Sequence, residues 1–231
     1  MKILDRVGKT LDYHFNMKYK YPRTKHFVWS PGATSDDKIL KDTSCFNGKT
    51  VVITEKMDGE NSTLGRDYYH ARSLDSRDHS SRSWIKQFHA SIKNDIPEGY
   101  RICGENLYAR HSVEYNDLKS YFYCFSIWDD KNYCLSWDDT VEFCELLNIV
   151  TVPIIAQSTL WDERTPGMIK EYILDVMNRD GKLHEGYVVR NADKFHYDDF
   201  GSNVAKFVRP NHVTTDTHWM HSEVIPNKLK V

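Results

Sequence analysis

With 231 residues, 40% of them hydrophobic and 28% charged, the chain has enough apolar material for a substantial core and is most simply one domain, or one domain with a tail. A formal net charge of -2 excludes a global attraction to nucleic acid, so any polyanion site has to be a local patch. The five cysteines (Cys45, Cys103, Cys124, Cys134, Cys144) form no C-x-x-C pair, residues 1–6 lack a signal-peptide core, and no run approaches the ~20 apolar residues of a membrane span. The expectation is a reduced, cytoplasmic protein with no membrane contact.

Along the chain, Lys18-Tyr19-Lys20-Tyr21-Pro22-Arg23 alternates basic and aromatic residues. Such a stretch either tracks a nucleic-acid backbone and stacks on bases, or is a solvated loop that packs its tyrosines on the domain, and composition favours the second. Asp36-Asp37 suits the start of a short helix. A β-branched run from Val51 ends in Glu55-Lys56, passes through Asp58-Gly59 and returns through Asn61 to Leu64, where Arg66-Asp67 turns it again. This reads as a strand, a tight turn and a hairpin, with Lys56 at the mouth of the turn. Gly59 lets the backbone come close to a ligand, and Asp58 offers a carboxylate beside the amine.

Tyr68 to Ser73 reads as another strand, and Trp84, Phe88 and Ile92 mark the core-facing stripe of a helix stopped by Pro97 and Gly99. Strands follow at Tyr100 to Asn106 and Tyr121 to Asp129, the second aromatic throughout, as in a strand buried on both faces or facing a flat ligand. Ser136, with Asp139 three residues on, caps a helix through Phe143, Leu146 and Leu147, and Thr165-Pro166 opens one through about Met177. Last come strands at His184 to Arg190 and Asn203 to Arg209. Strands scattered between fewer helices predict an α+β fold of mainly antiparallel sheets flanked by helices.

Glu55-Lys56-Met57-Asp58-Gly59 resembles the K-x-D-G nucleotidyl-acceptor motif of the covalent nucleotidyltransferases, the superfamily of RNA ligases, DNA ligases and mRNA-capping enzymes. It is followed, in the superfamily's order, by Gly104-Glu105-Asn106, the aromatic strand with Phe125, Glu185-Gly186-Tyr187-Val188 and a lysine-bearing strand with Lys206. Five matches in order make the likeness specific, and it is strongest to the RNA ligase 2-like branch. The resemblance spans Val51 to Arg209 and implies the nucleotidyltransferase fold for residues 1–209.

What the resemblance implies is residue-specific. Lys56 is the nucleophile that attacks the α-phosphate of ATP, and Glu55 and Met57 flank it in the nucleotide site. A free lysine has a pKa of roughly 10.4, so the site is expected to favour the neutral amine by desolvation or cationic neighbours. Glu105 accepts from the ribose hydroxyls. Phe125 stacks on the purine, with Phe122 and Tyr123 as alternatives should the register differ. Glu185 binds the divalent ion, Mg2+ with Mn2+ as a substitute. Arg72 contacts phosphate or ribose, with Arg77 and Arg82 as rivals. Asn61 orients the terminal ribose and phosphate. Taken alone, each of these residues also has a plainer reading as a surface or core side chain.

Two departures stand out. The family's last motif has two lysines one residue apart, whereas Lys206 is followed by Phe207, Val208 and Arg209, and strict alternation would put Val208, not Arg209, on the Lys206 face. Residues 210–231 form a tail too short for the OB-fold domain that many relatives carry, which leaves room for a protein partner in its place. Trp219 in that tail, with His212, His218 and His221, could cover the site, touch RNA or bind zinc, and a docked tail is the plainer reading. The expected activity is ATP-dependent joining of RNA 5′-phosphate and 3′-hydroxyl ends through a lysyl-AMP intermediate. The alternatives are a capping-type guanylyltransferase, a DNA ligase, or a catalytically inactive nucleic-acid-binding module.

Overall fold

A computed structural model describes residues 18–75, 78–179, 184–210 and 224–231. Arg77 and the set His212, His218, Trp219 and His221 lie outside these residues. In chain order the strands are β1 (Lys25–Phe27), β2 (Ile39–Leu40), β3 (Thr50–Lys56), β4 (Glu60–Gly65), β5 (Tyr69–Ala71), β6 (Arg101–Asn106), β7 (Phe122–Trp128), β8 (Tyr133–Cys134), β9 (Val150–Thr151), β10 (Ile154–Leu160), β11 (Gly186–Asn191), β12 (Phe195–His196) and β13 (Val204–Val208). The helices are α1 (Ser83–Ile92), α2 (Trp137–Leu146) and α3 (Thr165–Arg179). One sheet runs β10-β3-β11-β13-β1-β2 and the other β12-β8-β7-β6-β4-β5, with β9 on β7. Parallel pairs occur at β1 with β13 and β2 and at β7 with β9, and every other pair is antiparallel. Among the described residues no helix is long and apolar enough to cross a membrane, and all five cysteines are unpaired.

The expected hairpin between Val51 and Leu64 does not form: β3 belongs to the first sheet and β4 to the second. Both edges of β3 are taken by distant partners, β10 and β11, so no edge is left for the strand that follows. Asp58-Gly59 is therefore a crossover between sheets, and a turn signal reads the same in either case. The next turn behaves as expected, since β4 and β5 pair antiparallel across Arg66 and Asp67. Asp36-Asp37 starts no helix. The Asp37 carboxylate reaches back to accept from the Thr34 amide and hydroxyl, both at 3.0 Å, and closes a turn instead.

Period-two alternation gives the first sheet two different faces. Val51 and Ile53 of β3, Tyr187 and Val189 of β11, and Ala205 and Phe207 of β13 pack with Phe27, Trp161 and Ile169 in one buried cluster. Thr54, Val188 and Lys206 are aligned across the same three strands and open on the other side, onto a cleft. The second sheet is backed by α1, whose Ile85 and Ile92 are buried against Ile102, Phe122 and Ile127, with Trp84 and Phe88 packed on them. Ser136 caps α2 by accepting from the Asp139 amide at 3.1 Å, as the spacing predicts.

One close approach fixes how β3, β11 and β13 sit. Lys56, Gly186 and Val208 share a register, and a Cβ on Gly186 would come within 2.0 Å of the Phe207 carbonyl oxygen. Gly186→Ala therefore has to spread two paired strands. Urea denaturation is expected to show a loss of about 3 kcal/mol, and wild-type stability in this variant would contradict the close packing.

Candidate active site

The cleft between the sheets has a volume of about 610 Å³, within the ordinary range for a nucleotide-sized ligand. Lys56, the last residue of β3, points its amine to the Glu185 carboxylate at 2.5 Å, with the two side chains 23% and 8% exposed. Glu185 immediately precedes β11, and its carbonyl accepts from the Arg209 amide at 3.0 Å. The pair is thus placed by sheet register and not by a flexible loop.

Burial by itself would lower the Lys56 pKa, but the Glu185 and Glu105 carboxylates outweigh it and hold the amine above its ordinary value. This corrects the expectation of a neutral amine: without a ligand the site favours the ammonium. The lysine that is destabilised is Lys206, pushed down to about 8 by burial and then by the Lys56 charge. Glu105 is pushed up to about 8, chiefly by burial and against the pull of Lys56, while Glu185 and Asp58 add to the rise. Its Oε1 accepts from the Gly59 amide at 3.2 Å. A Cβ on Gly59 would stand 2.5 Å from the Asn106 carbonyl oxygen, so only glycine lets the crossover lie this close to β6.

The structure brings Glu55, Lys56, Met57, Asn61, Arg72, Glu105, Phe125 and Lys206 to the cleft. Glu185 joins them through Lys56, whereas Arg209 does not line the cleft and meets the site through its backbone bond to Glu185. Of the three aromatic candidates on β7 it is Phe125 that lines the cleft: Phe122 is buried in the core beneath α1, and the Tyr123 hydroxyl accepts from the Lys119 amide. The Glu55 carboxylate is bonded to His184 Nδ1 at 2.8 Å. Met57 is 5% exposed in an apolar cluster with Leu107 and Tyr123. Asp58 serves the backbone rather than the amine, its Oδ2 accepting from the Ser112 and Val113 amides at 2.8 and 2.7 Å.

Several cleft residues were not singled out by sequence. Glu60 receives Arg82 Nε in a forked contact at 3.0 and 2.8 Å, so of the described rivals for the phosphate-contacting arginine Arg82 is tied to a carboxylate and Arg72 is not. Arg190 is 4% exposed and donates to the Phe125, Leu135 and Asn191 carbonyls. Tyr21 sets its ring edgewise on Phe125, with centroids 5.1 Å apart. The alternation of Lys18 to Arg23 carried the signal for Tyr21: its tyrosines turn inward, with Tyr19 under the Arg101 guanidinium, while Lys18, Lys20 and Arg23 are exposed. Arg82 was named as a rival to Arg72, but its pairing with Glu60 had no local signal, the two being brought together from 22 residues apart.

Two buried polar atoms in the cleft have no hydrogen-bond partner among the described residues, Asn61 Oδ1 and Arg72 Nε. Buried polar atoms are nearly always satisfied, so an unpaired acceptor and an unpaired cationic donor facing one cleft fit a polar, anionic ligand. Phe125 and Val188 supply apolar walls for a base, and Lys56, Lys206 and Arg72 supply positive charge for phosphates. Among the described residues no group of three or more potential ligands converges on a metal position. The set suits a cation that takes one carboxylate, Glu185, and completes its shell with phosphate and water.

The fold is that of the covalent nucleotidyltransferases. An archaeal ATP-dependent RNA ligase superposes with a TM-score of 0.55 at 13% identity, over 83% of this chain and 48% of that one. A protein of Aquifex aeolicus assigned as an ATP-dependent DNA ligase gives 0.53 at 18% identity, over 83% and 50%. A variant of the Naegleria gruberi RNA ligase with ATP and manganese gives 0.50 at 17%, over 84% and 62%. The chain thus spans between about half and three-fifths of these solved chains. No curated protein matches it significantly. The sequence profile of the RNA ligase family matches residues 49–208, well over half of the chain, and the protein belongs to that family.

The depressed Lys206 has a consequence for stability. Its folded value of about 8 lies below the unfolded 10.5, so the folded state is penalised in full below pH 8, and the penalty fades as pH rises toward 10.5. Lys206→Met is expected to stabilise the ligand-free protein at pH 7 by about 1–3 kcal/mol, allowing for the partial exposure of the amine. Thermal melts at pH 7 and pH 10 check this: the gain should shrink at the higher pH, and a loss at pH 7 would refute the assigned environment.

Proposed function

We propose that this chain is an ATP-dependent RNA ligase that joins 5′-phosphate and 3′-hydroxyl ends through a lysyl-AMP intermediate. The observation that carries the reading is the Lys56 amine held on Glu185 at a cleft that also gathers Lys206, Arg72, Asn61, Glu105 and Phe125. Family membership and the ATP and manganese bound by the Naegleria gruberi relative support it.

In the first step the neutral Lys56 amine forms a P–N bond to the α-phosphorus of ATP. The bond from that phosphorus to the β-bridging oxygen breaks, and pyrophosphate leaves with the electron pair. The nitrogen sheds one proton to solvent or to the leaving group and keeps the other. A divalent ion, Mg2+ or Mn2+, would be held by Glu185 and phosphate oxygens and would supply charge neutralisation there. Were Glu185 drawn to such an ion, the Lys56 ammonium would lose its main stabilising partner and its pKa would fall toward the neutral amine that attack requires. Lys206 and Arg72 bear on the phosphate charge, Glu105 on the ribose hydroxyls, and Phe125 with Val188 on the base. Asn61 orients the ribose and phosphate at the joint. AMP then passes to an RNA 5′-phosphate, and attack by a 3′-hydroxyl on that phosphorus forms the phosphodiester and releases AMP.

Incubation with α-labelled ATP and Mg2+ is expected to give a protein-linked label that is absent from Lys56→Ala and moves to 5′-phosphorylated RNA. Nicked duplex RNA, single-stranded RNA and DNA, offered in parallel, identify the substrate. Label from GTP alone would make the protein a guanylyltransferase, and sealing of DNA alone a DNA ligase. End-dependent RNA binding with no label from either nucleotide would make it an inactive binding module.

A further inference from the structure

Residues 107–121 join β6 to β7, and they hold the crossover that carries the nucleophile. The Ser112 and Val113 amides donate to Asp58 Oδ2, and the Tyr115 hydroxyl accepts from the Asp58 amide at 2.9 Å. Beneath them Met57 packs with Leu107 and Leu118, with Tyr115 and Tyr121 on the same cluster. The position of Lys56, two residues before Asp58, therefore depends on what keeps this irregular segment in shape.

That support comes from residues 224–231. Asn227 is 2% exposed. Its Nδ2 donates to the Leu107 carbonyl at 2.8 Å, its Oδ1 accepts from the Tyr115 amide at 2.9 Å, and its amide donates to the Tyr108 carbonyl at 2.9 Å. Its carbonyl accepts from the Tyr121 hydroxyl at 2.9 Å. Backbone bonds from Arg110 to Ile225, Lys228 to Tyr115, Leu118 to Lys228 and Lys230 to Leu118 continue the lacing on both sides. The Asn227 side chain thus bridges two points of the 107–121 segment, Leu107 beside Gly59 and Tyr115 against Asp58, and no alternation of apolar residues would do the same.

We infer that residues 224–231 are a positioning strap for the nucleophile, with Asn227 its central positioning residue, acting on Lys56 through Tyr115 and Asp58. Asn227 touches no cleft group, so the inference concerns placement of the amine and not contact with ATP. It rests on the proposed adenylylation only for its kinetic consequence. Asn227→Ala leaves the Tyr115 amide and the Leu107 carbonyl without their side-chain partners and frees the segment that fixes Asp58. A misplacement on the scale of an ångström is enough to slow an in-line transfer about 10- to 100-fold while leaving ligand contacts in place.

The test uses the full chain and two readouts. Amide hydrogen exchange should be faster in Asn227→Ala at Asp58, Ser112 and Val113, with Tyr115→Phe as the control that removes the acceptor of the Asp58 amide directly. In single-turnover adenylylation with labelled ATP, the rate constant should fall about 10-fold or more with the half-saturating ATP concentration within about twofold of wild type. Asn227→Ala and Tyr115→Phe together should lose less than the product of their separate effects. Unchanged exchange at those amides overturns the inference, as does a loss confined to the fraction of protein that labels. Should Asn227→Ala fail to fold, Tyr121→Phe removes a single bond to the Asn227 carbonyl, and the same amides must then exchange faster for the inference to stand. Absence of label in the wild type would refute the proposed activity, while the exchange data would still decide the strap.

Discussion

The contact between the Lys56 ammonium and the Glu185 carboxylate sets the terms for everything around it. It exists because β3 and β11 pair with Lys56 opposite Gly186, which puts the residue before Gly186 beside the end of β3. A partly buried ion pair is weak support for stability, since desolvation offsets much of the Coulombic attraction. Here its sense is chemical. Lys56, the proposed nucleophile, rests as an ammonium, a form unreactive toward phosphorus, and the carboxylate that holds it is the one suited to a divalent ion. In the proposed reaction, nucleotide with a divalent ion would compete with the resting ion pair for the same oxygen atoms, which would couple activation of the amine to arrival of its substrate.

The neighbouring groups carry the converse strain. Lys206 at about 8 and Glu105 at about 8 are both shifted toward neutrality by burial. Each gains when a ligand of suitable chemistry enters: phosphate relieves the lysine, and hydroxyl donors relieve the carboxylate. The cleft is thus less stable empty than its packing would allow, as expected where binding groups are desolvated before the ligand arrives. The unpaired Asn61 Oδ1 and Arg72 Nε belong to the same account.

The spacing of the nucleophile motif is intelligible as a joint. Lys56 ends a strand of one sheet and Glu60 begins a strand of the other, so the three residues between them must cross and be held. Met57 anchors the crossing in an apolar cluster, Asp58 accepts two amides of the 107–121 segment, and Gly59 lies against the Asn106 carbonyl. The order of these residues, and of Glu105, Phe125, Glu185 and Lys206 after them, was legible in the sequence because each belongs to a short contiguous motif on or next to a strand. The sheet that receives each strand was not. The β3 to β4 step looked like a hairpin because the competition from β10 and β11 lies about 100 and 130 residues further on in chain order. The strand β10 itself was invisible: it is an edge with shifts in register and a positive φ of 56° at Ser158, so its burial does not alternate. The Glu60–Arg82 and Asn227–Tyr115 contacts also join residues apart in the chain, and no periodicity announces such side-chain bonds.

Charge closes the argument about what the cleft can hold. The chain as a whole carries a formal charge of -2, yet Lys56, Arg72, Arg82, Arg190 and Lys206 all face one cavity. They are not equivalent. Arg82 is committed to Glu60, which raises its pKa, and Arg190 is committed to backbone carbonyls beneath Phe125. Lys56 is held by Glu185. Arg72 and Lys206 remain, and in these two the net shift is downward, set first by burial and then by a neighbouring positive charge, Arg23 and Lys56 respectively. A cation kept in that state is poorly neutralised by the protein and gains most from an added anion. For the proposed nucleotide ligand, attraction would therefore be concentrated at these two groups, so a nearly neutral chain could still address a strongly anionic ligand at one point.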